Sequence, residues 1–171
     1  MKTTISDNIN TCILPDLQKK ANVTSIIISI ILIVFAVAMF YLSHVMESDL
    51  ITSTEVFFGV AAVCVAIYMF GWQRTKLVNK ETGSVVSKDR IFYNPVDLLG
   101  IKAALENENF EAFAGFHRQD EGNVQTVFYF AADHKYIAIQ VFKYEPFEYK
   151  PQTDIYIFKD ASAMKLIEKI K

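Results

Sequence analysis

Two long runs of apolar residues dominate the first half of the chain. They extend from Val23 to Leu42 and from Val56 to Trp72, and neither contains an Asp, Glu, Lys, Arg or His residue. A helix needs roughly 17–25 apolar residues to cross the hydrocarbon core of a bilayer. The pattern therefore predicts two transmembrane helices, with spans at about 23–42 and 54–72, that form a hairpin around a short polar loop.

The charges that flank the two runs predict their orientation. Lys19 and Lys20 precede the first run, and Arg74 and Lys76 follow the second. The loop between the runs, residues 43–55, contains acidic residues and no Lys or Arg. Because basic residues near the ends of spans are retained on the cytoplasmic side, both termini are expected in the cytoplasm.

Small residues recur along the second run, and they predict close helix packing. Gly59, Ala62 and Ala66 lie near a small-xxx-small pattern, which allows two helices to approach each other closely. We expect this face to pack within the hairpin or against another copy. Transport pathways normally place ionisable side chains inside the membrane, so the bare spans argue against a channel formed by this chain alone.

After residue 93 the pattern changes to a helix, alternating segments and a second helix. Asn94 and Pro95 are typical of a helix start, and a final helix is predicted from Ala161. Alternation of apolar and polar residues predicts strands. The predicted strands are Phe110–Phe116, Val124–Ala131, Tyr136–Tyr144 and Asp154–Lys159.

These elements predict the fold class and the domain boundaries. We expect a membrane α-hairpin plus an α+β domain, whose antiparallel sheet of about four strands is flanked by an N-terminal and a C-terminal helix. The predicted regions are a cytoplasmic tail (1–22), the hairpin (23–72), a polar connector (73–93) and the cytoplasmic α+β domain (94–171).

Charge and cysteine content exclude two classes of protein. Of the 17 Lys and Arg residues 3 precede Trp72, and of the 19 Asp and Glu residues 5 do, so the remainder carries 14 of each sign. A nucleic-acid-binding domain would show a basic face, so nucleic acid is not expected as a partner. Cys12 in the tail and Cys64 in the second span do not form a disulfide framework.

An aromatic segment with two prolines is the most unusual part of the second half. Aromatic side chains are enriched at protein interfaces, so this segment is a candidate interaction surface. The alternative is a rigid connector whose aromatic rings pack over the core of the domain itself. The residues of this candidate surface are Phe142, Tyr144, Pro146, Phe147, Tyr149 and Pro151.

Catalytic chemistry has weak support in the sequence. His117 and His134 have carboxylates nearby along the chain, at Asp120, Glu121 and Asp133, which could form a metal site or an acid–base pair. Exposed turn residues are the simpler interpretation. No established catalytic, nucleotide-binding or metal-binding motif is present, so neither a cofactor nor a catalytic residue is predicted.

The chain resembles a group of bacterial membrane proteins. The likeness rests on Thr82-Gly83-Ser84, after the two spans, and on the stretch from Gln140 to Pro151, which reads Gln-x-Phe-x-Tyr-x-Pro-Phe-x-Tyr-x-Pro. Proteins of this type have two N-terminal spans and a small C-terminal α+β domain. The resemblance implies a bacterial cytoplasmic (inner) membrane setting and adds no catalytic residue.

Together these patterns favour a membrane-anchored cytosolic binding or regulatory module, or an accessory subunit of a membrane complex. The expected partners are the lipid bilayer and either a second copy or another membrane-complex protein. Two alternatives stay open. One is a membrane-tethered enzyme or metal-binding domain that uses His117 or His134 with the nearby carboxylates, and the other is a component of an oligomeric transporter.

Overall fold

A computed structural model describes residues 4–5, 14–45 and 49–171 of the chain. Cys12 and Glu47 lie outside the described residues. The chain divides into two compact units. Residues 19–76 form one unit, and the described residues before Lys19 form the other together with Leu77–Lys171.

Two long apolar helices make up most of the first unit. Helix α1 spans Val23–Val45 and helix α2 spans Asp49–Trp72. Both are long and apolar enough to cross a membrane. Helix α1 continues three residues past the end of its predicted span, and α2 begins five residues before its predicted span and ends with it at Trp72.

The two helices pack through small side chains. In α1 the buried residues are Ser25, Ser29 and Ala36. In α2 the buried residues are Gly59, Ala62 and Ala66, the residues that the sequence singles out for packing. A Cβ atom at Gly59 would lie 3.1 Å from the ring of Phe40, so the glycine permits this close approach. The spacing of three and four residues is typical of helices that pack at a shallow angle.

The strands form two sheets. Strands β1 (Leu17–Ala21) and β2 (Thr75–Asn79) pair with each other. The larger sheet has six strands in the order β4-β3-β5-β6-β7, with β8 also paired to β6, and every pairing is antiparallel. Its strands are β3 (Val86–Tyr93), β4 (Arg118–Gln119), β5 (Val124–Ala131), β6 (Tyr136–Glu145), β7 (Glu148–Pro151) and β8 (Tyr156–Lys159).

The structure confirms two long apolar helices followed by an antiparallel sheet and a C-terminal helix, but the predicted count of about four strands is wrong. The sheet has six strands. Two of them, β4 and β7, were not predicted because they are too short to show a clear alternation in the sequence. In addition, β3 lies inside the segment 73–93 that was predicted as a connector. Its central residues Lys88, Asp89 and Arg90 are all exposed and charged, which hides the alternation of a strand.

Helix α3 (Leu98–Glu106) follows a short 3-10 segment, Pro95–Asp97. The side chain of Asn94 accepts a hydrogen bond from the N–H of Val96 at 3.1 Å, as its capping role predicts. The predicted strand Phe110–Phe116 is wrong, because residues 110–115 form a 3-10 helix. Buried Phe110 and Phe113 are three residues apart, which places both rings on the same side of such a helix.

Both faces of the large sheet are covered by apolar side chains. On one face, α3, the 3-10 helix at residues 110–115 and the C-terminal helix α4 (Asp160–Ile170) enclose the main core. On the other face a smaller core includes Ile5, Leu14 and Leu17, which precede the first apolar helix in the chain. The N-terminal segment therefore covers part of this second face of the sheet.

Candidate functional site

The hairpin formed by β6 and β7 ends in a two-residue turn. Glu145 pairs with Glu148, so Pro146 and Phe147 form the turn, which is called the hairpin tip below. Proline suits the first turn position because its ring fixes φ near −65°. Phe147 takes the second position with a φ of 78°, a left-handed conformation that normally requires glycine or asparagine.

Phe147 is also the most exposed large apolar residue among those described. Its exposed fraction is 95%, so the ring contacts almost nothing in the folded chain. A left-handed conformation costs a residue other than glycine roughly 1–2 kcal/mol. The hairpin tip thus combines backbone strain with an apolar ring in solvent, and folding gains from neither. Strained residues of this kind are found at functional sites.

The base of the hairpin is held firmly. The rings of Tyr144 and Tyr149 contact each other edge-on with centroids 5.2 Å apart, and the Tyr149 hydroxyl donates a hydrogen bond to the carbonyl oxygen of Gly122 at 2.7 Å. Lys150 Nζ lies 2.8 Å from a carboxylate oxygen of Glu145. The hairpin tip is therefore presented on a braced support.

The six residues of the predicted interaction surface fall into three groups. Phe142 is only 6% exposed and belongs to the smaller core, so it does not form part of a surface. Tyr149 and Pro151 are partly buried, whereas Tyr144, Pro146 and Phe147 are exposed. The exposed surface is thus narrower than the predicted one, and it is centred on the hairpin tip.

A shallow cleft of about 630 Å³ lies against the base of the hairpin. Tyr144 and Tyr149 line it together with Arg90 and Phe92 of β3, and this aromatic cleft also includes the turn residues 120–123. The guanidinium group of Arg90 lies 5.5 Å from the centre of the Phe92 ring, which is within the range of a cation–π contact.

A second cleft, of about 410 Å³, adjoins the first through Arg90. This second cleft is called the basic cleft below. It is lined by Lys88, Asp89, Arg90, Gln125 and Val127. Lys88 Nζ lies 5.6 Å from the centre of the Tyr129 ring. The Asp89 carboxylate accepts the backbone N–H of Arg90 at 2.8 Å, and the carboxylates of Asp120 and Glu121 line the adjoining aromatic cleft with Arg90.

The two clefts are lined by aromatic rings, by the cations of Lys88 and Arg90, by amide groups, and by the carboxylates of Asp89, Asp120 and Glu121. Among the residues that the structure describes, no group of three or more His, Cys, Asp and Glu side chains could hold a metal ion.

The two histidines are not brought together. His117 precedes β4, which pairs with β3 at Tyr93, and Tyr93 pairs in turn with Val124 at the start of β5. His134 lies in the turn that follows Ala131, at the other end of β5. A strand of this length spans about 25 Å at roughly 3.3 Å per residue. The two imidazole rings cannot act on one substrate atom.

His117 nevertheless has a carboxylate neighbour, though not one of those predicted. Its Nδ1 lies 3.3 Å from Asp97 Oδ2, and the same oxygen accepts the backbone N–H of His117 at 2.8 Å. The side chain of His117 is 78% exposed. This contact fastens the segment before β4 to the start of α3, and the imidazole stays in open solvent.

Lys88, Arg90 and Phe92 are the site residues that the sequence analysis missed. They occupy alternate positions of β3, so they share one face of the sheet. The spacing of Lys88 and Arg90 could have indicated a strand with a basic face, but the intervening Asp89 suggested a polar connector. Only the pairing of β3 with β5 reveals their common side.

No protein-family model matches this chain, and no similar protein was found among curated proteins or solved structures.

Proposed function

We propose that this chain is a membrane-anchored binding module. The two apolar helices hold it in a bacterial cytoplasmic membrane with both termini inside, and the α+β unit binds a protein partner through the hairpin tip and the adjoining clefts. The supports for the anchor are the length and composition of α1 and α2, the absence of charged side chains over residues 56–72 and 23–42, and the basic residues that flank them.

Phe147 is the observation that carries the binding role. Exposing an aromatic ring in a strained backbone conformation has a cost within the monomer, and a contact with another molecule would offset that cost. Aromatic side chains that enter a pocket on the partner often dominate the binding energy of an interface.

The charges beside Phe147 favour a protein over the lipid surface as the partner. Glu145 and Glu148 flank the turn directly, with side chains 41% and 67% exposed, and Lys150 contacts both of them. The cytoplasmic surface of a bacterial membrane is anionic and attracts basic segments. An anionic membrane surface repels the two carboxylates beside the Phe147 ring. A protein pocket that is apolar inside and basic at its rim would accommodate both the ring and the carboxylates.

Site-specific photo-crosslinking in native membranes tests this proposal. A photoreactive amino acid replaces Phe147 in the full-length chain, and illumination is followed by electrophoresis and mass spectrometry. Met164 on α4, which is 47% exposed, serves as the control position on a different element. We expect a defined protein adduct from position 147 and none from position 164. Lipid adducts alone, or no adduct from position 147, would contradict the proposal.

A further inference from the structure

We infer that the start of helix α3 rests on the lipid surface, with the side chains of Val96 and Leu99 inserted between the lipid headgroups. These two side chains are called the aliphatic patch below. The inference goes beyond the proposed protein-binding role of Phe147. It rests on the proposed membrane anchor, which keeps the α+β unit beside a bilayer.

The aliphatic patch is a second exposed apolar surface of the α+β unit. Val96 is 86% exposed and Leu99 is 76% exposed, and among the described large apolar residues of this unit only Phe147 is more exposed than these two. The 3-10 segment Pro95–Asp97 runs directly into α3. Because residues three apart lie on the same side of a helical segment, Val96 and Leu99 project side by side.

Helix α3 packs on the main core with its other side. Its buried residues are Ile101, Ala104 and Leu105. At about 3.6 residues per turn, Leu99 and exposed Ala103 face away from these three residues. The apolar surface of the patch is therefore left in water by the fold, and its transfer to an apolar phase is favourable.

The charges around the aliphatic patch favour a lipid surface. Over residues 94–105 only Asp97 and Lys102 are charged. The Asp97 side chain is 12% exposed, and its Oδ2 accepts the backbone N–H of His117 at 2.8 Å. Lys102 lies three residues after Leu99, so its ammonium group can reach lipid phosphates while its apolar stem lies along the patch.

Three other acidic residues lie away from the aliphatic patch. Glu106 is seven residues beyond the end of the patch, which corresponds to about 10 Å along the helix axis. Asp120 and Glu121 line the aromatic cleft beside Phe92. Phe92 and Tyr93 are neighbours in β3 and face opposite sides of the sheet, and Tyr93 belongs to the main core that α3 covers. The aromatic cleft and the patch are therefore on opposite faces.

The residue types also favour lipid over a protein partner. Tryptophan, tyrosine and arginine dominate the binding energy of most protein interfaces, and valine and leucine are under-represented among such anchors. Insertion between lipids requires apolar surface without a matching pocket. Two aliphatic side chains would hold a free domain only weakly, but a domain that is tethered by α1 and α2 meets the bilayer at a high effective concentration.

Quenching by brominated lipids tests this inference. The full-length chain with Ala103→Cys, in a background with Cys12→Ser and Cys64→Ser, carries an environment-sensitive fluorophore at position 103, beside the patch. The chain is reconstituted in vesicles of phosphatidylglycerol and phosphatidylcholine, with or without bromine on the acyl chains. We expect a blue-shifted emission in both kinds of vesicle and the loss of most of the fluorescence in the brominated ones.

Substitutions assign the quenching to the aliphatic patch. The double variant Val96→Glu with Leu99→Glu should recover the fluorescence, because it places two carboxylates against an anionic surface. Both positions are exposed, so the fold tolerates the change. Met164→Glu introduces a carboxylate at an exposed position of α4 and should leave the quenching unchanged. Quenching that persists in the double variant would overturn the inference.

A fluorophore on the native Cys64 separates failure of this inference from failure of the membrane anchor. Cys64 lies within α2, so its quenching reports a helix inside the bilayer. Quenching at position 64 without quenching at position 103 would overturn the lipid contact and keep the anchor, and no quenching at either position would overturn both. A blue shift at position 103 without quenching would show that protein covers the patch, which also overturns the inference.

Discussion

The backbone N–H of Ile5 donates a hydrogen bond of 2.7 Å to the side-chain oxygen of Gln140, 135 residues away in the sequence. The amide nitrogen of the same side chain donates to the carbonyl oxygen of Thr153 at 3.1 Å. Gln140 is fully buried, at the point where β6 passes from its pairing with β8 to its pairing with β7. One amide thus joins the N-terminal segment, β6 and the connector between β7 and β8.

Replacing this amide by an alkyl group of similar size should destabilise the fold. In Gln140→Leu, the N–H of Ile5 and the carbonyl of Thr153 lose their partner, and each unsatisfied buried group costs about 1–3 kcal/mol. We expect the free energy of unfolding to fall by about 2–4 kcal/mol in urea titrations. Gln119→Leu, at an exposed position of β4, is the control and should change it little. Equal stabilities of the two variants would contradict this role for Gln140.

Phe147→Gly should separate stability from binding. Glycine adopts a φ of 78° without strain, so the free energy of unfolding of the variant should be about 1 kcal/mol higher than that of wild type. At the same time it lacks the exposed ring and should lose its partner in crosslinking. Phe147→Ala is the comparison variant, because it removes the ring and keeps the strain. A stabilised glycine variant that still binds would show that the ring is not the anchor.

Gly59 is expected to be essential for the packing of α1 on α2. A larger side chain would push against the ring of Phe40, which lies only 3.1 Å from the position of a Cβ atom. Gly59→Leu should therefore lower the stability of the helix pair in detergent by about 1–3 kcal/mol, the usual cost of overpacking. In the same helix, Gly71 has no atom within 4 Å of such a Cβ, so Gly71→Leu is a matched control. Equal melting temperatures for both variants would be the contrary result.

Two buried phenols predict loss of stability in alkali. Burial raises the pKa of Tyr93 above its ordinary value of 10.0, and burial together with the charge of Asp16 raises that of Tyr136. Above pH 10 the unfolded chain releases these protons and the folded chain keeps them, so the stability that is complete below pH 10 declines as pH rises. Over the pH range in which a phenol is ionised in the unfolded chain and protonated in the folded chain, the slope is about 1.4 kcal/mol per pH unit for that phenol.

Urea unfolding at pH 9 and pH 11 measures this decline. Tyr136→Phe and Tyr93→Phe should each make it shallower, because phenylalanine has no proton to release. The double variant should reduce it further. The interpretation would fail if both single variants declined as steeply as wild type.

The sequence predicted the elements in which one pattern dominates. The apolar runs predicted α1 and α2, and clear alternation predicted β5 and β6. In β5, Phe128 and Phe130 belong to the main core, while Tyr129 between them belongs to the smaller one. Such strands are visible because both faces are covered and each residue shows which side it faces.

The rest depends on contacts between distant residues. Phe110, Ala112, Ala114 and Phe116 alternate like a strand, yet packing against α4 selects a 3-10 helix. The sequence indicated only part of the candidate site. Phe147 lies in the aromatic segment that the sequence predicted as an interaction surface. Lys88 and Arg90 line the clefts only because β3 pairs with β5, and this pairing has no signal in the sequence. A left-handed backbone at Phe147 has no signal in composition or spacing.

Labelling of single cysteines in intact cells tests the membrane-anchored arrangement most directly. In a background with Cys12→Ser and Cys64→Ser, Asp49→Cys is placed at the start of α2, within the acidic segment between the two apolar runs, and Glu148→Cys is placed beside the hairpin tip. With a maleimide that cannot cross membranes, we predict labelling at position 49 in intact bacterial cells, and labelling at position 148 only after permeabilisation. Labelling at position 148 in intact cells, or protection of position 49, would contradict a chain that spans the membrane twice and presents Phe147 to the cytoplasm.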